Sequence, residues 1–298
     1  MTDSATPRVI CFGEVLWDSL PRGLFLGGAP VNVAYHLKQL GAHPIPVTSV
    51  GRDQLGEEIL RRVKSWDVAT AGVRTHPKKS TGMARVTLKD GSPQFEIVED
   101  VAWDWIELSA EVLAQAPQSK AVVFGSLAQR SENNQRQFAT LLELCPQALK
   151  VFDVNLRPPY DSAERVWALA QRADFIKLND QELGRLMDET VSPDRAQDAM
   201  CRFAQRAGVT KACLTAGKTG AGLLLDGKWF WESAQAVTVR DTVGAGDSFL
   251  AALLSGLLQA KIPPAEILRR ASRLAEFVVG HDGATAAYHL DADGTVKA

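Results

Sequence analysis

The stretch Asp241-Thr242-Val243-Gly244-Ala245-Gly246-Asp247-Ser248-Phe249 sets two glycines and a carboxylate just ahead of an apolar run, Leu250 to Leu258. The pattern predicts a loop turning into a helix, whose first backbone N–H groups lack intrahelical partners and carry the positive end of the helix dipole. Glycine lets such a backbone approach a bulky anion closely, so a phosphate is the natural guest. Asp247 falls in the first turn, where a carboxylate beside a phosphate is unfavourable unless it has a task. Accepting a proton from a hydroxyl that attacks phosphorus is such a task. The plainer reading is a tight turn in which Asp247 caps a buried helix. A Rossmann fingerprint is excluded, because Phe249 stands where its third glycine is needed. Ala212 to Thr219 ends in Gly217-Lys218-Thr219 like a P-loop. Its first glycine is Ala212, however, and the strand-like run Ala221 to Leu225 follows where a helix is required.

The elements that would position this stretch alternate. Val9 to Phe12 reads as a buried strand closed by Gly13, with Glu14, Trp17 and Asp18 following in a loop. Gly27-Gly28-Ala29-Pro30-Val31-Asn32 opens a helix to about Leu40, stopped by Gly41. A strand over Ile45 to Val50 and a helix over Gln54 to Trp66 continue the strand–helix rhythm of a parallel sheet covered by helices. The rhythm breaks at Gly82 to Leu88 and Gln94 to Val98, a hairpin pattern around Asp90-Gly91 that reads either as a lid or as a surface excursion. It resumes with strands at Ala121 to Phe124, Lys150 to Asp153, Phe175 to Leu178 and Lys211 to Leu214. Helices are read at Asn133 to Leu144, Ser162 to Arg172 and Asp194 to Ala207. A hairpin around Asp226-Gly227 and two long helices, about Gly246 to Ala260 and Pro264 to Val279, close the chain.

In open α/β sheets ligands bind at the carboxyl ends of the strands. The polar residues following strands are therefore the candidates: Glu14 and Asp18, Asp53, Asp153 with Asn155 and Arg157, Asn179 with Glu182, and Thr215 with Gly217. Each has a dull alternative, with Asn179 and Glu182 forming a capping box above all. Their convergence on one sheet edge with Gly244 to Asp247 favours a site.

Composition narrows the classes. A length of 298 residues suits one large domain; 46% hydrophobic and 23% charged residues are ordinary for a soluble globular protein. A net charge of −2 gives no electrostatic case for nucleic acid or an anionic membrane. The four cysteines form no C-x-x-C pair and read as buried free thiols in a reducing compartment, and the five histidines lack zinc spacing. With no signal pattern and no membrane-length apolar run, the expectation is a cytoplasmic protein.

The chain resembles a ribokinase-type sugar kinase of the carbohydrate kinase family called PfkB. Two signatures carry the likeness: Gly27-Gly28-Ala29-Pro30-Val31-Asn32-Val33-Ala34 with Leu40-Gly41, and Asp241 to Phe249. Asp153-x-Asn155-x-Arg157 and Asn179-x-x-Glu182 fall between them in the family's order. The resemblance covers essentially the whole chain. It implies a ribokinase-like α/β fold over residues 1–298, a central, mostly parallel sheet flanked by helices, with a small β-sheet lid from about 14–26 and 82–103.

By position, the resemblance makes Asp247 the base that takes the sugar hydroxyl's proton and the N–H groups of Gly244, Ala245 and Gly246 an anion hole, with Arg157 near the phosphates. Asp18, Gly28 and Asn32 would bind the sugar. Thr215, Gly217 and Gly220 would border ATP, with Ala271 to Ala275 near the adenine. Asn179 and Glu182 would hold Mg²⁺ through water, and Asp241 stands where relatives bind a monovalent cation such as K⁺. The Gly13 to Asp18 opening, Val101-Ala102-Trp103-Asp104 and Asn155 to Pro159 look most like bacterial fructokinases, with Trp17 and Trp103 either lid-side aromatics against a sugar face or, the commoner fate of tryptophan, packed in the core. Fructose is thus expected ahead of 2-keto-3-deoxygluconate, ribose or a nucleoside. The expected state is a monomer or homodimer, with no nucleic-acid or membrane partner. The rival readings are a catalytically silent sugar-binding regulator, opposed by the intact base and glycines, and a dinucleotide-dependent oxidoreductase, opposed by Phe249.

Overall fold

The structure, a computed structural model, describes residues 6–20, 23–89, 92–259, 261–291 and 294–297. The chain opens with strand β1 (Arg8–Phe12), then β2 (Leu16–Leu20), β3 (Gly23–Gly27), helix α1 (Ala29–Gln39), β4 (His43–Gly51), α2 (Gln54–Ser65) and β5 (Val73–His76). The hairpin β6 (Gly82–Lys89) and β7 (Ser92–Ile97) follows, with α3 (Ala110–Gln115), β8 (Ala121–Gly125), α4 (Glu132–Leu144), β9 (Leu149–Asp153), α5 (Ala163–Ala170), β10 (Phe175–Asn179) and α6 (Asp180–Met187). Then come α7 (Ala196–Ala207), β11 (Lys211–Thr215), β12 (Gly220–Leu225), β13 (Lys228–Ser233), α8 (Ala245–Leu258), α9 (Pro264–Val279) and a short pair, β14 (His289–Leu290) and β15 (Val296–Lys297).

Among the described residues nine strands form one sheet in the order β13-β12-β11-β10-β9-β8-β1-β4-β5, parallel except for the β12 and β13 edge. Strands buried on both faces need apolar side chains on both, which is why β1 and β8 read as unbroken apolar runs. The period of two then sorts them. Ile10, Phe12, Val122 and Phe124 pack on one face with Phe138 of α4 and Phe203 of α7. Val9, Cys11 and Val123 pack on the other with α1, α8 and α9. The apolar run that opens at Phe249 is therefore buried nearly all round.

A second sheet, in the order β3-β2-β6-β7, stands beside the carboxyl ends of the main strands. Trp17 and Asp18 lie in its strand β2 rather than in the expected loop. The sequence Leu-Trp-Asp-Ser-Leu alternates, so Trp17 turns with Leu26 onto α2 while Asp18, paired across from Phe25, faces away. The Asp90-Gly91 turn lies outside the described residues, but the strands on either side pair as the pattern predicts.

The base of this hairpin is pinned by a buried ion pair. Arg130 Nε and Nη2 each donate to Asp104 at 2.8 Å, and the guanidinium lies 4.0 Å over Trp103 and 4.6 Å over Tyr160. Both charged side chains are under 10% exposed, at 7% and 8%. Removing one partner leaves the other charge buried and unpaired, so Asp104→Ala is expected to cost about 3–5 kcal/mol in a urea titration. A loss below about 1 kcal/mol would mark the pair as water-accessible in solution.

Trp103 is fully buried and Trp17 nearly so, Trp17 Nε1 donating to Leu55 O at 3.1 Å. Neither lines the cavity described below, which corrects their placement against a sugar. Cys11, Cys145 and Cys213 are buried as read, whereas Cys201 is exposed on the solvent side of α7. After Gly217-Lys218-Thr219 the chain runs into β12, as the rejection of a P-loop requires. β5, α3 and the β14–β15 pair, all short, were not expected from the sequence, and α6 only as the helix that a capping box of Asn179 and Glu182 would open. Among the described residues no helix is long and apolar enough to cross a membrane.

Candidate active site

A cleft of about 1150 Å³ runs along the carboxyl ends of the main strands, roofed at one end by the small sheet. Of the residues singled out for base, anion hole, sugar or nucleotide, Asp18, Gly28, Asn32, Arg157, Asn179, Thr215, Gly217, Gly220, Gly244, Ala245, Gly246 and Asp247 line it, whereas Trp17, Trp103 and Ala271 do not. Glu14, Glu182 and Asp241 line it too. Asp53 does not. It caps α2, accepting from Gly56 N at 2.8 Å, and ties down Thr81 at the foot of β6.

Gly244 takes φ 80 as the N-cap of α8, a left-handed conformation suited to glycine, and the first intrahelical bond runs from Ser248 N to Gly244 O at 2.8 Å. The N–H groups of Gly246 and Asp247 precede that bond and point to the cleft end of the helix. The loop is clamped from behind. Asp241 Oδ1 accepts from Val243 N and Oδ2 from Gly283 N. His36, fully buried on α1, holds Ala284 O at 2.8 Å with Nε2, while Nδ1 meets Tyr288 Oη at 3.2 Å. A carbonyl only accepts, so Nε2 carries the proton.

Asp247 is enclosed by protein except at its cleft edge, and Asn32 Nδ2 donates to Oδ2 at 2.8 Å. Burial, with Asp153 nearby, pushes its carboxyl up to about 6 against the pull of Asn32, Lys177 and Arg157. Asp18 is pushed up to about 6 as well, by burial and by Asp241, with Arg157 opposing. Burial also raises Glu14, whose Oε2 is buried without a partner. α1 brings Asn32 in because Gly28, at φ 114, passes so close to Glu14 O that a Cβ would meet it at 2.5 Å.

Further along, Asn179 and Glu182 form the capping box of α6. Asn179 Oδ1 accepts from Glu182 N, and Glu182 Oε2 accepts from Asn179 N, both at 2.8 Å. Glu182 Oε1 also accepts from Leu156 N at 2.9 Å, fastening the β9 loop. The capping alternative is thus real, and each oxygen keeps acceptor capacity beyond these bonds. Burial and Asp153 raise the Glu182 carboxyl, against Lys177 and two backbone donors.

Lys177 is the functional-looking residue the sequence reading missed. It is a buried ammonium in β10, held 3.0 Å from Asp153 Oδ1. Burial works against its charge, but Asp153, Glu182 and Asp247 outweigh that and raise its pKa. Its signal was legible: a lysine inside Phe-Ile-Lys-Leu-Asn, a strand with no other charge.

The far end of the cleft lies between the β11–β12 turn and α9. Ser272 and Ala275 line it, whereas Ala271 is wholly buried in the core, which narrows the expected adenine wall.

Residues 22–290 match the profile of the pfkB family carbohydrate kinase. The chain belongs to that family. As a pfkB carbohydrate kinase it is a phosphotransferase with an alcohol group as acceptor. It is 30% identical over 242 residues to a sugar kinase of Pyrococcus horikoshii, covering 79% of this chain and 74% of that one. The structure of an uncharacterized sugar kinase from that organism in complex with ATP superposes with a TM-score of 0.75 at 26% identity, covering 93% of this chain and 94% of that one. Fructokinase-2 of Solanum lycopersicum is 28% identical over 278 residues, covering 86% of this chain and 83% of the other. A fructokinase of Vibrio cholerae, solved with fructose, ADP and calcium, shares the fold at a TM-score of 0.79 and 22% identity, covering 95% and 96%. The ribokinase-like fold expected from the two signatures is the fold found.

Proposed function

We propose that this pfkB carbohydrate kinase transfers the γ-phosphoryl group of ATP to D-fructose, giving fructose 6-phosphate. The observation that carries the reading is Asp247: a carboxylate in the first turn of α8, oriented by Asn32 at 2.8 Å and set beside backbone N–H groups that precede the helix's first bond. Asp247 accepts the proton of the attacking hydroxyl, and the N–H groups of Gly244, Ala245 and Gly246 take the charge of the transferring phosphoryl group. Arg157 adds a positive charge beside them. Asp18, Gly28 and Asn32 bind the sugar, and Thr215, Gly217 and Gly220 border the nucleotide.

Asn179 and Glu182 would hold Mg²⁺ through water, since their oxygens already accept backbone bonds and hard oxygen donors line this floor. Bound there, the ion would neutralise phosphate charge. Asp241 would face a monovalent cation. The small sheet, with residues 14–26 and 82–103, acts as a lid that keeps water from the phosphoryl group.

Among the described residues the acids at the sugar end are Glu14, Asp18, Asp241 and Asp247 against Arg157 and Lys177. That balance favours an uncharged polyol over a sugar that already carries a phosphate. Fructokinase names among the relatives support fructose in particular. A panel assay for ADP release with ATP and Mg²⁺ over fructose, ribose, 2-keto-3-deoxygluconate, glucose and adenosine tests the choice. Turnover on fructose far above the others is expected; turnover on another member of the panel retires the fructose assignment. Silence across the panel with sugar still bound would indicate a regulator.

Asp18→Ala should raise the fructose KM by about 10- to 100-fold with a smaller change in kcat, the loss of a charge-assisted hydrogen bond. A shift confined to the ATP KM would place Asp18 elsewhere.

A further inference from the structure

Beneath the first turn of α8 lies a charged pair that these roles leave unused. Lys177 and Asp153 occupy registered positions on the neighbouring parallel strands β10 and β9. Lys177 Nζ donates to Asp153 Oδ1 at 3.0 Å, the two side chains being 7% and 5% exposed. Asp153 Oδ2 is buried without a partner. The ammonium sits directly under the helix: a Cβ added at Gly246 would come within 2.9 Å of Nζ. The other charges bearing on it are Glu182 from α6 and Asp247 from α8.

A buried ion pair seldom stabilises a fold better than an apolar pair of the same volume. Here it stands on the floor of a cleft that must take polyphosphate, among three carboxylates. We infer that Lys177 is a positioning residue for phosphoryl transfer: its ammonium, seated on Asp153 and packed under Gly246, fixes the first turn of α8 and offsets the acids facing the incoming phosphates. Gly246 on this view lacks a side chain because Lys177 fills the space its Cβ would take.

The inference rests on the reading of Asp247 and the α8 N-terminus given above, and the test separates the two. Lys177→Met should lower kcat by about 10- to 100-fold and raise the ATP KM, with the fructose KM within about twofold. Lys177→Met leaves Asp153 buried and unpaired, so its melting point should fall. The double variant Asp153→Asn/Lys177→Met removes both charges and should recover the melting point while kcat stays low. Recovery of kcat along with stability would reduce the pair to a structural one and overturn the inference. Gly246→Ala gives a second reading: a clear loss of kcat in the native background and little further loss in the Lys177→Met background. Additive losses would sink the contact argument. Asp247→Asn, assayed alongside, reports on the base alone, so a failure there is not mistaken for a failure of Lys177.

Discussion

Asp247→Asn is expected to lower kcat by about 10³- to 10⁴-fold while the fructose KM moves by only a few-fold. The substitution keeps the shape and a partner for Asn32 but removes the proton acceptor, which acts as the hydroxyl attacks rather than when the sugar binds. The pH dependence gives the same group an independent signature. Its carboxyl is pushed up to about 6, so it is ionised above that pH and protonated below. Asp18 is pushed up to about 6 too. If both must be ionised in the free enzyme, kcat/KM for the sugar falls below pH about 6 with a logarithmic slope approaching about 2. Asp18→Ala should reduce that slope to about 1, because one proton remains to be lost. A near-native kcat for Asp247→Asn would remove it from the role of base.

The second large effect is expected at Gly244. An alanine there must adopt φ 80, and its Cβ would stand 2.5 Å from Ala284 Cα. Neither side can yield cheaply. The Ala284 segment is tied by Gly283 N to Asp241, by Ala284 O to His36 and by Ala286 O to Tyr35. The turn must therefore shift, carrying the N–H groups of the anion hole with it. Gly244→Ala should lower kcat by about 10²- to 10³-fold, the scale of losing an anion-hole donor. Binding of fructose, measured calorimetrically without nucleotide, should persist. An alanine variant with native turnover would mean that this turn does not set the transition state.

The sequence disclosed the parts of this site that rest on backbone demands. Gly28 and Gly244 are glycines for conformational reasons, and the two signatures built on them located both helix N-termini, with Asp247 in the first turn of α8. The main sheet was equally readable, because strands buried on both faces cannot hide their apolar runs. What escaped was decided by tertiary pairing. Leu16–Leu20 carries a polar stretch that looks like loop until Gly23–Gly27 and Gly82–Lys89 bracket it. Trp17 goes to the core on the inward face of β2, which follows only once that segment is a strand, and Trp103 goes there under the Arg130 guanidinium, which lies far along the chain. Lys177 was visible as a charge in an apolar strand, but its partner lies 24 residues away, and only strand order brings them together.

The central claim is that the group leaving ATP arrives on a sugar hydroxyl. Phosphorus NMR of a reaction containing the protein, ATP, Mg²⁺ and fructose follows that atom directly. The account predicts a phosphomonoester resonance of fructose 6-phosphate growing in step with ADP, with inorganic phosphate absent. ADP accompanied by inorganic phosphate alone, with fructose left unmodified, would contradict it.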